Sequence, residues 1–401
     1  MLVQVNRKIL GTIAASSALG IGIGLQRAQF AVLGEIMASK GWIINSEIGI
    51  LSGISLMGYL LGCFHQTRLK NEINSIRIIR IGLALAVMSF FIEPLINSLE
   101  WQILWRLICG WASAQLVAGI PGLATKFHTI DEKRLSLAYI FAGAGFAALI
   151  ASTLVSKFAS ETIIEGWLIT GVVALILAIP IHMLLDTCIE EEINSRQVRN
   201  LNTNTDEAKI TDRKWPKGLK LLASSAFCFG AAQVTVMTYY PLLLITRFNV
   251  TQELAASSFS SVGLGYMVGA IAAGYMPKKL STDFLMTSSA IIGIIGSLLC
   301  SAGTNIPVVA VGAFAFAMWN GSMMGLLLNR INQSVATENA RATWSQFSMI
   351  LSSGFLIFII ASSSFANKHV ESIIWMGLFL VTSHLILQIM AKNEFAKSTA
   401  S

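Results

Sequence analysis

The feature that most constrains this chain is a series of long apolar runs joined by short polar connections. Runs such as Ser281–Cys300 and Pro307–Leu328 have about the 20 residues that a helix needs to cross roughly 30 Å of hydrocarbon. Only 12% of the residues are charged, against roughly 25% in soluble domains. A large soluble core leaves these runs unexplained. The sequence therefore predicts an all-α polytopic membrane protein.

The apolar runs predict twelve transmembrane helices, called spans 1 to 12 in chain order. They are placed at residues 9–39, 46–66, 77–97, 101–126, 135–158, 163–185, 217–245, 252–276, 282–303, 306–329, 342–366 and 370–391. The first run directly follows Arg7 and Lys8 and is too long for a cleavable signal peptide, so it is interpreted as span 1. An even number of spans puts both termini on one side.

Positive charge is concentrated on that side. Of the 28 Lys and Arg residues, Arg27 and Arg106 lie inside spans. The connections on the other side carry Lys40, Lys157, Arg247 and Lys368, and all the others lie at the termini or on their side. Cytoplasmic loops carry the excess of Lys and Arg, so both termini are predicted to be cytoplasmic. This orientation accounts for the net charge of +7 without a nucleic-acid partner.

The chain divides into two related halves. Residues 1–186 are predicted to form one six-helix bundle, residues 187–216 a partly disordered cytoplasmic linker, and residues 217–401 a second bundle. Gly58-Tyr59-Leu60-Leu61-Gly62 in span 2 recurs 207 residues later as Gly265-Tyr266-Met267-Val268-Gly269 in span 8. Glycines four apart let helices approach closely. Such parallel repeats are typical of transporters that work by alternating access.

Several other classes of protein lack support in the sequence. The five cysteines form no C-x-x-C pair and no Walker motif is present, so neither a metal site nor ATP-driven transport is predicted. No arrangement of nucleophile and base indicates an enzyme. The glycine run at 20–24 lies within a span, where it predicts close helix packing and not a nucleotide site.

The twelve-span layout resembles the major facilitator superfamily over essentially the whole chain. Arg106 followed by Gly110 looks like an R-x-x-x-G element of its drug:proton antiporters, and Gly62 through Arg68 and Lys70 looks like a degenerate loop signature. Gly20-Ile21-Gly22-Ile23-Gly24 with Arg27 and Phe30 is similar to the YbfB/YjiJ group of bacterial transporters. Gly143-Ala144-Gly145 lacks the proline of the span 5 antiporter element. The resemblance implies a monomer in the bacterial cytoplasmic (inner) membrane. It also implies that an ion gradient, of protons, drives transport and that no cofactor is required.

Arg27 is the leading candidate for substrate binding, because an ionisable side chain within a span is costly and marks a functional site by default. It shares a small-residue face with Gly20 and Gly24, and Gln26 is its neighbour. Its planar guanidinium suits an anionic group. The alternative is a structural ion pair with Glu35.

Arg106 is a second candidate, for binding or for coupling. Glu35 is the leading candidate for proton coupling, with an outer salt bridge as its alternative.

The second half offers neutral polar and aromatic groups instead. The remaining predicted substrate-binding residues are Gln115, Gln233, Tyr239, Tyr240, Trp319, Asn320 and Gln346. Each has the alternative role of joining helices by hydrogen bonds or packing. Two intramembrane arginines against one carboxylate favour a small organic anion, such as a carboxylate metabolite or a carboxylate-bearing siderophore. The alternatives are proton-coupled multidrug efflux and a receptor or scaffold that does not transport.

Overall fold

A computed structural model describes residues 2–69, 71–158, 163–201, 215–335, 337–363 and 366–400. Lys70, most of the predicted linker (residues 202–214) and residues 364 and 365 of predicted span 11 lie outside the described ranges. Twelve helices in these ranges are long and apolar enough to cross a membrane. They coincide with the twelve predicted spans, which confirms the all-α polytopic fold.

The helices have the following bounds. Span 1 runs through Leu2–Leu19, Gly20–Ala28 and Gln29–Ser39; span 2 is Asn45–Arg68; span 3 is Glu72–Ile92 with the turn Glu93–Leu95; span 4 is Leu99–Ala124 with Thr125–Phe127; span 5 is Ile130–Phe158; and span 6 is Ile163–Leu201. Span 7 is Lys217–Met237 with Tyr240–Phe248; span 8 is Gln252–Ser258 with Ser260–Tyr275; span 9 is Thr282–Ala302; span 10 is Ile306–Ser334; span 11 is Thr337–Ser363; and span 12 is Ala366–Ala400.

Short polar side chains fix where several helices begin. The side-chain oxygens of Asn71, Ser98, Thr251, Ser281 and Asn305 each accept a hydrogen bond from a backbone N–H in the first turn of the helix that follows. These N–H groups have no partner within the helix itself, and a side-chain cap typically stabilises a helix by about 1 kcal/mol. The connections between spans are therefore short and well defined at these positions.

Two sequence predictions are corrected here. Span 6 continues as a helix to Leu201, so the first part of the predicted linker is helical; no Gly or Pro interrupts it, and Glu191 pairs with Arg7 of span 1. Span 7, predicted as one helix, is broken at Thr238 and Tyr239. Pro241 explains the break, because it lacks an N–H and its ring clashes with the carbonyl four residues earlier.

Glycine pairs place equivalent helices in contact in the two halves, as predicted. A Cβ at Gly58 would collide with the carbonyl of Leu107 in span 4, and a Cβ at Gly265 with the carbonyl of Phe314 in span 10. The same relation holds one turn further on for Gly62 with Trp111 and for Gly269 with Met318. Each contact in the second half follows its counterpart by 207 residues, which is the offset of the sequence repeat.

The two halves meet along spans 2 and 11 and along spans 5 and 8. A Cβ at Gly49 of span 2 would lie 2.7 Å from the Cβ of Ser363 in span 11. A Cβ at Gly145 of span 5 would lie 2.6 Å from the backbone nitrogen of Met267 in span 8. Small residues thus let both pairs of helices touch, and the space between the halves lies between these two lines of contact.

Candidate functional site

A cavity of about 60 Å³ lies between the two halves, near the middle of the spans. Spans 1, 2 and 4 line it from the first half, and spans 7 and 11 from the second. Its lining residues are Ile23, Gln26, Arg27, Ala28, Phe30, Ser52, Ser55, Leu56, Arg106, Gln233, Met237, Thr238 and Phe355. Both of its charged residues are arginines, Arg27 and Arg106. We call this the central cavity.

Arg27 lines the central cavity, and its charge is not compensated by any residue that the structure describes. Its guanidinium carbon lies 3.8 Å from the centre of the Tyr59 ring, and its buried Nη2 atom has no hydrogen-bond partner among the described residues. The alternative ion pair with Glu35 is not formed: Glu35 has no ion pair with any residue that the structure describes, and lies instead beside Ile48 and Tyr239. A buried cation left unpaired is costly unless something else compensates it.

The glycine run orients Arg27. Residues Gly20–Ala28 form a π-helix, a wide turn that is frequent at functional sites. A Cβ at Gly22 would lie 2.8 Å from the Val117 side chain of span 4, and one at Gly24 would lie 2.9 Å from the Ala147 Cβ of span 5. Close packing of the run is therefore confirmed. Spans 4 and 5 pack against two faces of this segment, and Arg27 lies on the remaining face, which borders the cavity.

Arg106 also lines the central cavity, but its charge is compensated. Its Nε donates to Oε1 of Glu93 at 2.6 Å, and its Nη2 pairs with Oε2 of the same carboxylate. Its Nη1 donates to the backbone carbonyl of Gln26 at 3.4 Å. The Arg106 and Glu93 side chains are 1% and 0% exposed. A two-bond Arg–carboxylate pair of this kind fixes both groups in one geometry.

Glu93 is the functional candidate that sequence reasoning missed. It follows the last residue of a helix and begins a short turn that contains Pro94, so by position it belongs to a span end facing water. The turn instead directs the carboxylate to Arg106, thirteen residues further along the chain. The signal available in the sequence was Arg106 in the neighbouring span, because a buried charge is costly unless it is paired, and Glu93 is a nearby carboxylate.

Two predicted glutamines border the central cavity with unused hydrogen-bonding atoms. Gln26 donates through Nε2 to the Ala86 carbonyl and to Ser89 Oγ, both at 2.8 Å, while its Oε1 is buried without a partner. The Nε2 of Gln233 in span 7 is also buried, and no described residue bonds to it. Ser52 and Ser55 of span 2, which were not predicted, add hydroxyl groups to the lining. Because the two serines are three residues apart, they lie on the same face of span 2.

The other predicted binding residues lie outside the central cavity. Gln115 joins helices, accepting from Gln66 Nε2 at 2.6 Å and donating to the Gly62 carbonyl at 3.3 Å. Trp319 packs its ring 4.9 Å from Phe229 in an aromatic cluster. Tyr239 bonds Ser362 Oγ at 3.0 Å. Tyr240 and Asn320 are buried away from the lining, and Gln346 is exposed.

The space between the halves differs in size at the two ends of the bundle. The end that carries the chain termini, called the terminal end, has a cavity of about 350 Å³ beside Lys126, Lys133 and Trp344. At the opposite end a cavity of about 10 Å³ lies beside Glu35 and Tyr239. A buried cluster of Tyr59, Cys63, Ala114, Val117 and Ala118 joins spans 2 and 4, and Ile23 of the central cavity and Met349 of span 11 pack on it.

Comparisons with known proteins agree with this architecture. The chain matches a glucose transporter GlcP of Staphylococcus epidermidis at 29% identity over 129 residues, which is 32% of this chain and 28% of that relative's length. The chain thus covers less than a third of that relative. A family described as "Uncharacterised MFS-type transporter YbfB" matches residues 18–393, which is nearly the whole chain. The chain is therefore a non-enzymatic, multi-pass membrane transporter that belongs to this YbfB-type family of the major facilitator superfamily.

Proposed function

We propose that this transporter moves a small organic anion and binds the anionic group at Arg27. The observation that carries the proposal is the buried Nη2 of Arg27, which has no partner in the part of the chain that the structure describes and belongs to a residue lining a cavity between the two halves. A carboxylate on the solute would accept hydrogen bonds from this guanidinium and compensate its charge. The pair with Tyr59 would hold the guanidinium in place.

The charge balance of the cavity favours a solute with one anionic group. Glu93 neutralises Arg106, so Arg27 supplies the one net positive charge among the described lining residues. Gln233 Nε2, Gln26 Oε1 and the hydroxyls of Ser52 and Ser55 would bind neutral polar groups of the solute. The cavity of about 60 Å³ compares with roughly 10–15 Å³ for one water by the same measure. In this conformation it accommodates a small carboxylate metabolite better than a siderophore.

The transport mechanism that we propose is alternating access of the central cavity. The space between the halves widens toward the terminal end and is almost closed at the opposite end. The positive-inside rule makes the terminal end cytoplasmic, in a bacterial inner membrane, so this conformation is nearest to an inward-facing one. The Tyr59 cluster would be the inner barrier and the Gly49–Ser363 contact the outer one. We expect the transporter to act as a monomer.

Proton coupling is the proposed energy source, and two carboxylates could supply it. Glu35, at the opposite end, is half-buried without an ion pair in the described structure. Glu93 holds Arg106 at the wall of the cavity, so protonation of Glu93 would release that arginine toward a bound anion. Both groups lie beside parts of the bundle that must rearrange during alternating access, which is where a coupling group is expected.

A neutral sugar is the second candidate solute, because the partial relative is named a glucose transporter. Sugar hydroxyls would use Gln26 and Gln233 but would not need Arg27. Multidrug efflux is less well supported, since the span 5 antiporter proline is missing. A receptor or scaffold role would need a large surface outside the membrane, which the short connections in the described ranges do not provide.

Uptake into proteoliposomes tests the proposal. A panel of radiolabelled monocarboxylates and glucose is compared for the wild type, Arg27→Gln and a control, Arg77→Gln, which replaces an exposed arginine at the terminal end. Loss of a charge-assisted bidentate contact costs about 1.5–3 kcal/mol, so we expect uptake of the carboxylate to fall roughly 10- to 150-fold in Arg27→Gln alone. If the wild type takes up no carboxylate, and glucose uptake is the same in Arg27→Gln as in the wild type, the anion proposal is wrong and a sugar is the solute.

A further inference from the structure

Two glutamines line the central cavity from its two sides. Gln26 belongs to span 1 in the first half, and Gln233 belongs to span 7 in the second half. Each has a buried amide atom that bonds to no residue in the described ranges, Oε1 in Gln26 and Nε2 in Gln233. An acceptor from one half and a donor from the other are therefore both unused at the same cavity.

The two glutamines occupy equivalent positions in the sequence repeat. Ser16-Ser17-Ala18 in span 1 recurs 208 residues later as Ser224-Ser225-Ala226 in span 7, whereas spans 2 and 8 repeat at an offset of 207. The first half thus has one additional residue between these two points. The π-helix Gly20–Ala28 accommodates it, because a turn closed by bonds between residues five apart is wider than an α-turn. The offset of 207 that follows pairs Gln26 with Gln233.

The orientation of the Gln26 amide is determined by its neighbours in span 3. Its nitrogen lies 2.8 Å from the backbone carbonyl of Ala86, which can only accept, so this atom is the Nε2 donor. The same nitrogen lies 2.8 Å from Ser89 Oγ. The oxygen is therefore on the other side of the amide, and the whole side chain is 1% exposed. Because a buried acceptor without a donor is costly, Gln26 favours a bound group that donates a hydrogen bond.

The two sides of the cavity match in their amides but differ in charge. Val234 follows Gln233 at the position that Arg27 has after Gln26, and no charged residue of the second half is among the described lining residues. A solute that carries one charged group and one neutral polar group would therefore be held in a single orientation, with its charged group toward the first half.

Given the anion site proposed at Arg27, we infer that the solute is a small hydroxy monocarboxylate whose hydroxyl lies between Gln26 and Gln233. A hydroxyl has one donor and two acceptor positions. It would donate to Oε1 of Gln26 and accept from Nε2 of Gln233, and so it would satisfy both buried atoms at once. Because Gln26 directly precedes Arg27 in the chain, a hydroxyl on the carbon beside the carboxylate fits this arrangement best.

The rest of the cavity leaves room for a short alkyl group. Apolar side chains supply much of the remaining lining, among them Ile23, Leu56 and Phe355. The volume of about 60 Å³ corresponds to about four to six water-sized positions. A three-carbon hydroxy acid has about six non-hydrogen atoms and a hexose about twelve, so the cavity in this conformation matches the hydroxy acid by the same measure.

Equilibrium binding to the purified full-length protein tests this inference with lactate, propionate and lactamide as ligands. Propionate lacks the hydroxyl and lactamide lacks the charge. We expect the wild type to bind lactate roughly 5- to 30-fold more tightly than propionate, as one or two net hydrogen bonds would give. Gln26→Leu and Gln233→Leu should each reduce this ratio and keep the preference for lactate over lactamide. The control Gln252→Leu replaces an exposed glutamine at the start of span 8 and should bind like the wild type.

The three ligands separate failure of this inference from failure of the anion site. Equal affinity of the wild type for lactate and propionate, with both bound more tightly than lactamide, would overturn the hydroxyl site and support the anion site. If neither carboxylate binds, both are wrong. Gln26→Leu also removes the two hydrogen bonds to span 3. If it does not fold, Gln233→Leu decides, and an unchanged ratio of lactate to propionate affinity in that variant would overturn the inference.

Discussion

At the scale of single residues, the two intramembrane arginines have different environments. Arg106 has a carboxylate partner in Glu93, whereas Arg27 packs on Tyr59 and its buried Nη2 has no partner among the described residues. Two arginines that line the same cavity therefore differ in whether their charge is compensated. This difference is why we propose a structural or coupling role for Arg106 and an anion-binding role for Arg27.

The Arg106–Glu93 pair yields a stability prediction. Glu93→Gln leaves a buried guanidinium without its counter-charge, which typically costs about 3–5 kcal/mol. The double variant Glu93→Leu/Arg106→Met removes both charges and should recover most of that stability, because apolar replacements of buried ion pairs are often neutral. Denaturant unfolding of the purified variants measures the difference, with exposed Glu165→Gln as control. A single variant as stable as the double one would contradict the buried ion pair.

Arg27 was found from the sequence because a charge stands out inside an apolar run. Glu93 was missed because its role depends on the turn after span 3, which a sequence pattern places at the water boundary. The neutral residues were predicted least well. Gln26 and Gln233 line the cavity, but Gln115 joins helices and Gln346 is exposed, since the direction of a polar side chain depends on helix rotation that hydropathy does not determine.

At the scale of elements, glycine contacts determine how the helices pack. The predicted glycine faces of spans 1, 2 and 8 all meet a neighbouring helix at van der Waals distance or closer. The ends of the helices were harder to predict from the sequence than their number and order. Span 6 extends beyond the apolar run to Leu201, because a helix does not have to end at the membrane surface, and Pro241 divides span 7 within an apolar run.

Gly110 and Gly53 provide a matched test of this packing. A Cβ at Gly110 would lie 2.9 Å from the Tyr59 backbone nitrogen and closer still to Ser55, whereas one at Gly53 would lie 3.5 Å from the Ile360 side chain. Gly110→Ala should therefore destabilise the protein by about 1–3 kcal/mol through overpacking, and Gly53→Ala should be neutral or stabilising. Thermal unfolding in detergent measures both. Equal stability of the two variants would mean that spans 2 and 4 are less tightly packed than described.

At the scale of the whole molecule, the two halves enclose cavities of about 10, 60 and 350 Å³ from the opposite end to the terminal end. In the proposed mechanism, the Gly49–Ser363 contact and the Tyr59 cluster are the two barriers beside the central cavity. A solute bound at Arg27 would then require one barrier to open at a time. The repeat predicted two similar halves, but the conformation in which they meet depends on contacts between spans that no periodic pattern encodes.

A disulfide across the opposite end tests this movement. Gly49→Cys/Ser363→Cys joins spans 2 and 11, where the Cβ positions nearly touch, and oxidation should stop transport, with recovery on reduction. The control Ser289→Cys/Ser322→Cys joins spans 9 and 10 within the second half, where the two hydroxyls are hydrogen-bonded, and should leave transport intact. Unchanged transport with the first pair oxidised would rule out opening at that end.

The most direct test of the central claim is a binding comparison between a carboxylate solute and its neutral amide analogue. Isothermal titration of the purified protein is carried out with both compounds for the wild type and for Arg27→Gln. We expect the wild type to bind the carboxylate at least 10-fold more tightly than the amide, because a charge-assisted contact contributes about 1.5–3 kcal/mol. We expect Arg27→Gln to abolish this preference. Equal preference in the two proteins would show that Arg27 does not bind the anion.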